Sequence, residues 1–148
     1  MKTKTLSFRL PVGWPSLLDR LAYQYHFDTR AEMLGLIVAD AAFSGRQVKG
    51  IISPPSVVVG CRLPLATYQA ITSIALKGNS ISTWAGLTVV KWIEDLQKED
   101  NRQQKKNPIG YRFFIEDYAK HFRNRVAVYN RNMGINGGNN GSATAVVR

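Results

Sequence analysis

From Lys4 to Leu10 the chain alternates: Leu6, Phe8 and Leu10 are apolar, while Thr5, Ser7 and Arg9 between them are polar. A period of two predicts a strand with one buried face, and Pro11 ends it. From Trp14 the spacing changes to Trp14, Leu17, Leu18, Leu21, Ala22 and Tyr25, which is one face of a helix. Pro15 sits near the start of that helix, where its missing N–H costs nothing. After a break at His26, Phe27 and Asp28, Thr29 and Glu32 form a capping box. Thr29 is expected to accept from the Glu32 backbone, and the Glu32 side chain to reach back to the Thr29 N–H. The second helix turns Met33, Leu34, Ile37, Val38 and Ala41 inward and stops near Ser44 and Gly45.

The segment GRQVKGIISPPS, with its stiff Pro54-Pro55 pair, then reads as a linker. After it the whole pattern returns. Val57, Val59, Cys61 and Leu63 alternate with Val58, Gly60 and Arg62, and Pro64 closes the strand. Thr67, Ala70, Ile71, Ile74 and Ala75 form a helical stripe, GNSIS a turn, and Leu87, Val90 and Ile93 a last stripe.

The two Arg-Leu-Pro tripeptides lie 53 residues apart. At that constant offset Leu18 meets Ile71, Leu21 meets Ile74, Ala22 meets Ala75, Thr29 meets Ser82 and Leu34 meets Leu87. This is an internal repeat of strand, helix, turn and helix, with Ser82 expected to cap the fourth helix as Thr29 caps the second. One copy cannot bury both its strand face and its helix faces, and a lone strand exposes two unpaired edges. Two copies solve this by pairing their strands into an antiparallel ribbon over four helices. A linker of about twelve residues reaches roughly 40 Å, so the halves can pair within one chain. Tethering favours that over pairing between chains.

The expected fold class is therefore mainly α with a two-stranded antiparallel β-ribbon, in the order β-α-α-β-α-α, plus a C-terminal helix. Its parts are a first half at 1–45, a linker at 46–55, a second half at 56–97, a basic segment with a helix at 98–132, and a flexible Gly/Asn-rich tail at 133–148. The C-terminal helix is expected from Tyr111 to about Tyr129, with Phe114, Ile115, Tyr118, Ala119, Phe122 and Val126 on one face. Arg112, Lys120, Arg123 and Arg125 fall largely off it.

Charge narrows the class of partner. The formal net charge is +10, and residues 101–148 carry nine Lys/Arg against two Asp/Glu. Such a balance favours a polyanion, nucleic acid above all. No apolar run approaches the ~20 residues of a membrane helix, and no Lys/Arg-rich helix with a Trp/Phe/Leu face points to a membrane surface. With no apolar h-region and no small-residue cleavage site near the N-terminus, no export signal is expected. One cysteine and two histidines are too few soft ligands for a zinc site, and a cytoplasmic, reducing location is expected. There are no paired carboxylates in a cleft-like context, no phosphate-cradling Gly loop and no nucleophile motif, so neither an enzyme nor a cofactor is expected.

A strand ending in Arg-Leu-Pro, then a helix, a short turn and a Ser/Thr-capped helix resembles the ribbon-helix-helix (MetJ/Arc-type) DNA-binding family. The tandem form in one chain is similar to the relaxosome accessory proteins of F-type conjugative plasmids. The resemblance spans about residues 3–96. It implies that the outer ribbon face enters the major groove and touches bases through Thr5, Ser7, Arg9, Val58, Gly60 and Arg62. An arginine there can pair bidentately with guanine, and Val58 can meet a thymine methyl. Because the two strand faces differ, an imperfect palindrome is expected. The same resemblance implies phosphate contacts at the starts of the second and fourth helices, from Thr29, Arg30, Ser82 and Thr83. Asp28 opposes a phosphate, whereas Ile81 takes its place in the second copy.

The partner expected is thus double-stranded DNA, and the role expected is that of a repressor, an autoregulator or a plasmid relaxosome accessory factor. The alternative is an antitoxin whose C-terminal segment binds a protein toxin. Other roles for that segment are a basic arm adding phosphate contacts, an aromatic-faced helix (Phe114, Tyr118, Phe122) for self-association on adjacent sites, and a helix docked on the core.

Overall fold

A computed structural model describes residues 2–48, 50–75 and 80–132. The tail at 133–148 lies outside the described residues. The order is β1 (Thr3–Pro11), α1 (Trp14–Gln24), α2 (Arg30–Phe43), β2 (Ser56–Pro64), α3 (Leu65–Ala75), α4 (Ile81–Lys106) and α5 (Pro108–Asn132). The molecule is mainly helical with one two-stranded antiparallel sheet. The two strands pair over their full lengths, from Thr3 opposite Pro64 to Pro11 opposite Ser56.

Alternation fixes which way the ribbon faces. Leu6, Phe8, Leu10, Val59, Cys61 and Leu63 are buried, and the residues between them are exposed. A one-residue slip of either strand would turn its three buried residues to water, and burying a side chain of this class contributes about 1.5–3 kcal/mol. The helices receive this face. Leu18, Leu21 and Ala22 of α1, Met33, Leu34, Ile37 and Val38 of α2, Ile71 of α3, and Trp84, Val89, Ile93 and Leu96 of α4 complete one core. Ile74 and Ala75, expected on the α3 stripe, lie where side chains are not described.

The repeat is not gapless. The strands match at an offset of 53, but the second helices match at 51. At 51, buried Met33, Leu34, Ile37, Val38, Ala41 and Ala42 correspond to buried Trp84, Ala85, Thr88, Val89, Trp92 and Ile93. Leu87, matched to Leu34 at the uniform offset, is instead only half-buried. The α4 cap moves with this shift. Ser80, not Ser82, accepts from the Thr83 N–H (3.1 Å). Thr29 does cap α2, accepting from the Glu32 N–H at 3.0 Å. The Glu32 carboxylate, however, takes the Asp28 N–H (2.9 Å) rather than that of Thr29.

Gly86 lets α4 reach the ribbon edge, and Gly35 stands at the matching point of α2. A Cβ on Gly86 would stand 2.6 Å from the Arg9 carbonyl oxygen, and one on Gly35 would stand 3.8 Å from that of Arg62. Gly35 and Gly86 are themselves 51 apart and Arg9 and Arg62 53 apart, so each second helix crosses the other half's strand at the same point. The covered edges answer the need of a bare two-stranded ribbon for protection.

The charged run at 97–106 continues α4 as far as Lys106, so the division expected at residue 97 falls inside one helix. Asn107 ends α4, and its Oδ1 accepts the Gly110 N–H (3.0 Å) at the start of α5. The α5 helix packs on α2 and α4, burying Ala119, Phe122 and Val126. Tyr118 lies edge-on to Trp92, with centroids 5.8 Å apart, and to Phe27 at 6.4 Å. At the far end buried Asp100 accepts from the hydroxyls of Tyr25 and Tyr111. Burial first, and then the Asp100 hydrogen bond, push the Tyr25 and Tyr111 hydroxyls up in pKa, so both stay neutral donors. No helix among the described residues is long and apolar enough to cross a membrane.

Candidate nucleic-acid interface

The outer ribbon face follows from pairing plus alternation. Across it Thr5 stands opposite Arg62, Ser7 opposite Gly60, and Arg9 opposite Val58. All six residues are exposed. Neither strand contains an Asp or Glu, so nothing on the ribbon offsets the two guanidinium charges. The Arg9 side chain donates to the Ser56 hydroxyl (3.3 Å), which steadies it over the face. Arg9 and Arg62 are four residue levels apart along the ribbon, about 13 Å.

Gly60 stands where a side chain would fit tightly. A Cβ there would lie 3.3 Å from the Leu6 carbonyl oxygen and 3.6 Å from the Ser7 hydroxyl. Its absence leaves the middle of the face flat and open.

Five of the ten residues expected to contact DNA share one groove of about 460 Å³. Ser7, Arg9 and Val58 line it from the ribbon, and Ser82 and Thr83 from the start of α4. Ile51 and Ile52 of the linker complete its wall. Their place was invisible to sequence reasoning, which treats the linker only as a tether. The Ser82 hydroxyl donates to the Ser7 carbonyl (2.8 Å), so its role is to tie α4 to the strand edge. Any anion at this terminus would meet backbone N–H groups instead. Those of Ile81 and Ser82 precede the first intrahelical bond, which Trp84 makes to the Ser80 carbonyl (2.9 Å). The first turn of α4 has no acidic residue, which leaves the positive end of its dipole uncompensated.

The start of α2 is electrostatically different. Thr29 and Arg30 do stand there, but Arg30 is 3.6 Å from Asp19 and the first turn contains Glu32. Arg123 of α5 forks onto Glu32 (Nε to Oε2 3.0 Å, Nη2 to Oε1 2.8 Å) and lies 3.7 Å from Asp28. Burial raises the Glu32 pKa, but the Arg123 fork and the Asp28 N–H outweigh it and hold the carboxyl below its ordinary range. Arg125 makes a second fork, to Asp40 (2.9 and 3.2 Å). Two of the cations expected to face a polyanion are thus committed to docking α5, and the aromatic stripe expected for self-association is packed inside the same chain.

Cys61 is buried under the ribbon, and burial pushes its thiol up to about 12. Among the described residues, no three His, Cys, Asp or Glu side chains cluster to hold a metal ion. Compared with known proteins, the chain matches no family model, no curated protein and no solved structure.

Proposed function

We propose that this chain is a sequence-specific double-stranded DNA-binding protein, built as a tandem ribbon-helix-helix unit, that reads the major groove with its ribbon. The observation that carries the reading is the pairing of β1 with β2 that leaves Arg9 and Arg62 exposed on one acid-free face. A two-stranded ribbon has the width of the major groove, and a guanidinium there discriminates guanine by about 1–3 kcal/mol. The acid-free start of α4 supports a phosphate contact beside β1. The net charge of +10 supports the sequence-independent part of the affinity. The role this fits is that of a repressor, an autoregulator or a plasmid relaxosome accessory factor.

The test is selection of bound sequences by the full chain from random duplexes at a stated salt concentration. A reproducible consensus with two guanine positions about four base steps apart supports the reading, since 13 Å spans about four rises of 3.4 Å. Recovery of unrelated sequences overturns it.

A further inference from the structure

Ser7 and Gly60 face each other across the ribbon and are also equivalent in the repeat, since they too are 53 residues apart. The approximate twofold relation between the strands therefore passes through this pair. It exchanges Arg9 with Arg62, and it exchanges Thr5 with Val58. A dimer of identical chains would make the two ends of the ribbon alike. Here they differ in chemistry.

At one end the linker returns to the ribbon, and the Val12 N–H donates to the Pro55 carbonyl (3.2 Å). That end holds Arg9 and Val58, with Ile51 and Ile52 beside them in the same groove. Val58 is 60% exposed and Ile51 78%. At the other end the Lys2 carbonyl accepts the Leu65 N–H (3.1 Å), and Lys4 lies over the Tyr68 ring at 4.8 Å. On the outer face that end offers Arg62 with the hydroxyls of Thr5 and Thr3. Linker-end Arg9 thus has an apolar companion, and open-end Arg62 has a polar one.

We infer that the chain reads an oriented duplex, in which the half-site under the linker presents a thymine methyl beside the guanine met by Arg9. The symmetry-related position in the other half-site is met by Thr5 and needs no methyl. Chemistry limits the choice, because the C5-methyl of thymine is the apolar group on the major-groove edges of the four bases. Val58 stands directly across from Arg9, so the two reach neighbouring base pairs. Ile51 extends the same apolar surface on that side alone. The inference rests on the ribbon-reading proposal and adds to it a polarity set by the linker.

The experiment uses the full chain and the duplex it selects from a random library. The base position that loses preference in Arg9→Ala identifies the linker half-site. Uracil then replaces thymine in one half-site at a time, which deletes only the methyl. Loss of about fourfold in affinity in the linker half-site, the scale of one buried methyl, and no change in the other is the expected result. Val58→Ser, which deletes both γ-methyl groups at an exposed position, should abolish the methyl sensitivity while leaving the Arg62 base preference intact. Equal sensitivity in both halves, or none in either, overturns the polarity and leaves ribbon reading standing. Absence of any selected consensus overturns both.

Discussion

Ser7 and Gly60 are partners across the ribbon and counterparts in the repeat at once, a coincidence possible only at the centre of a twofold relation. Everything on the outer face is arranged around that pair, with Arg9 and Arg62 disposed about it at equal distances. A single chain thereby acquires the geometry that two identical chains would supply. It also remains free to differ at each end.

Gly86 and Gly35 test the packing of the second helices on that ribbon. A methyl at residue 86 would press on the Arg9 carbonyl at 2.6 Å, whereas one at residue 35 would sit in ordinary contact, 3.7 Å from Leu63. Gly86→Ala should lower stability by about 1–3 kcal/mol, the range for overpacking. Gly35→Ala should be neutral or stabilising by up to about 1 kcal/mol through helix propensity. Thermal or urea unfolding of the two variants reads the difference directly.

The docking of α5 should depend on acid. The Glu32 carboxyl titrates below its ordinary value of 4.5 because Arg123 and the Asp28 N–H favour its charged form over the cost of burial. A lowered folded value means that its contribution is complete above that ordinary range. It is then lost as pH falls through the folded value. Both groups are partly exposed, so the expected size is about 1 kcal/mol. Glu32→Gln should flatten the acid limb of the stability curve, and Arg123→Ala should do the same. If stability below pH 5 were unaltered in both variants, the fork would not hold α5.

Cys61 should be unreactive in the native protein. Its side chain lies under the ribbon and its thiol is pushed up to about 12, so little of the reactive thiolate exists at neutral pH. A disulfide reagent such as dithionitrobenzoate should modify it only slowly in buffer and fully on addition of denaturant. Rapid native modification would mean that the ribbon opens readily.

Much of this architecture was legible because period-two and period-three-to-four patterns alternate so cleanly along residues 4–96. The strands and their faces follow from that alone, and the spacing of Phe114, Tyr118, Phe122 and Val126 marks the α5 stripe in the same way. The offset of the second helices did not. Ser80 and Ser82 are both good caps, and only the backbone decides which hydroxyl meets the Thr83 N–H. The commitment of Arg123 and Arg125 was equally hidden. Their acidic partners lie 91 and 85 residues earlier in the chain, and no local spacing reveals a pairing at that range. For the same reason the linker read as a spacer, although Ile51 and Ile52 line the groove beside Arg9.

The most direct test of base reading by the ribbon is a specificity ratio. It is the affinity of the full chain for its selected duplex divided by that for a scrambled duplex, measured at one salt concentration. Arg9→Ala with Arg62→Ala in the same chain should lower that ratio at least tenfold, since each guanine contact is worth about 1–3 kcal/mol of discrimination. The circular dichroism spectrum should not change, because both side chains are exposed. An unaltered ratio in a folded double variant would contradict the account.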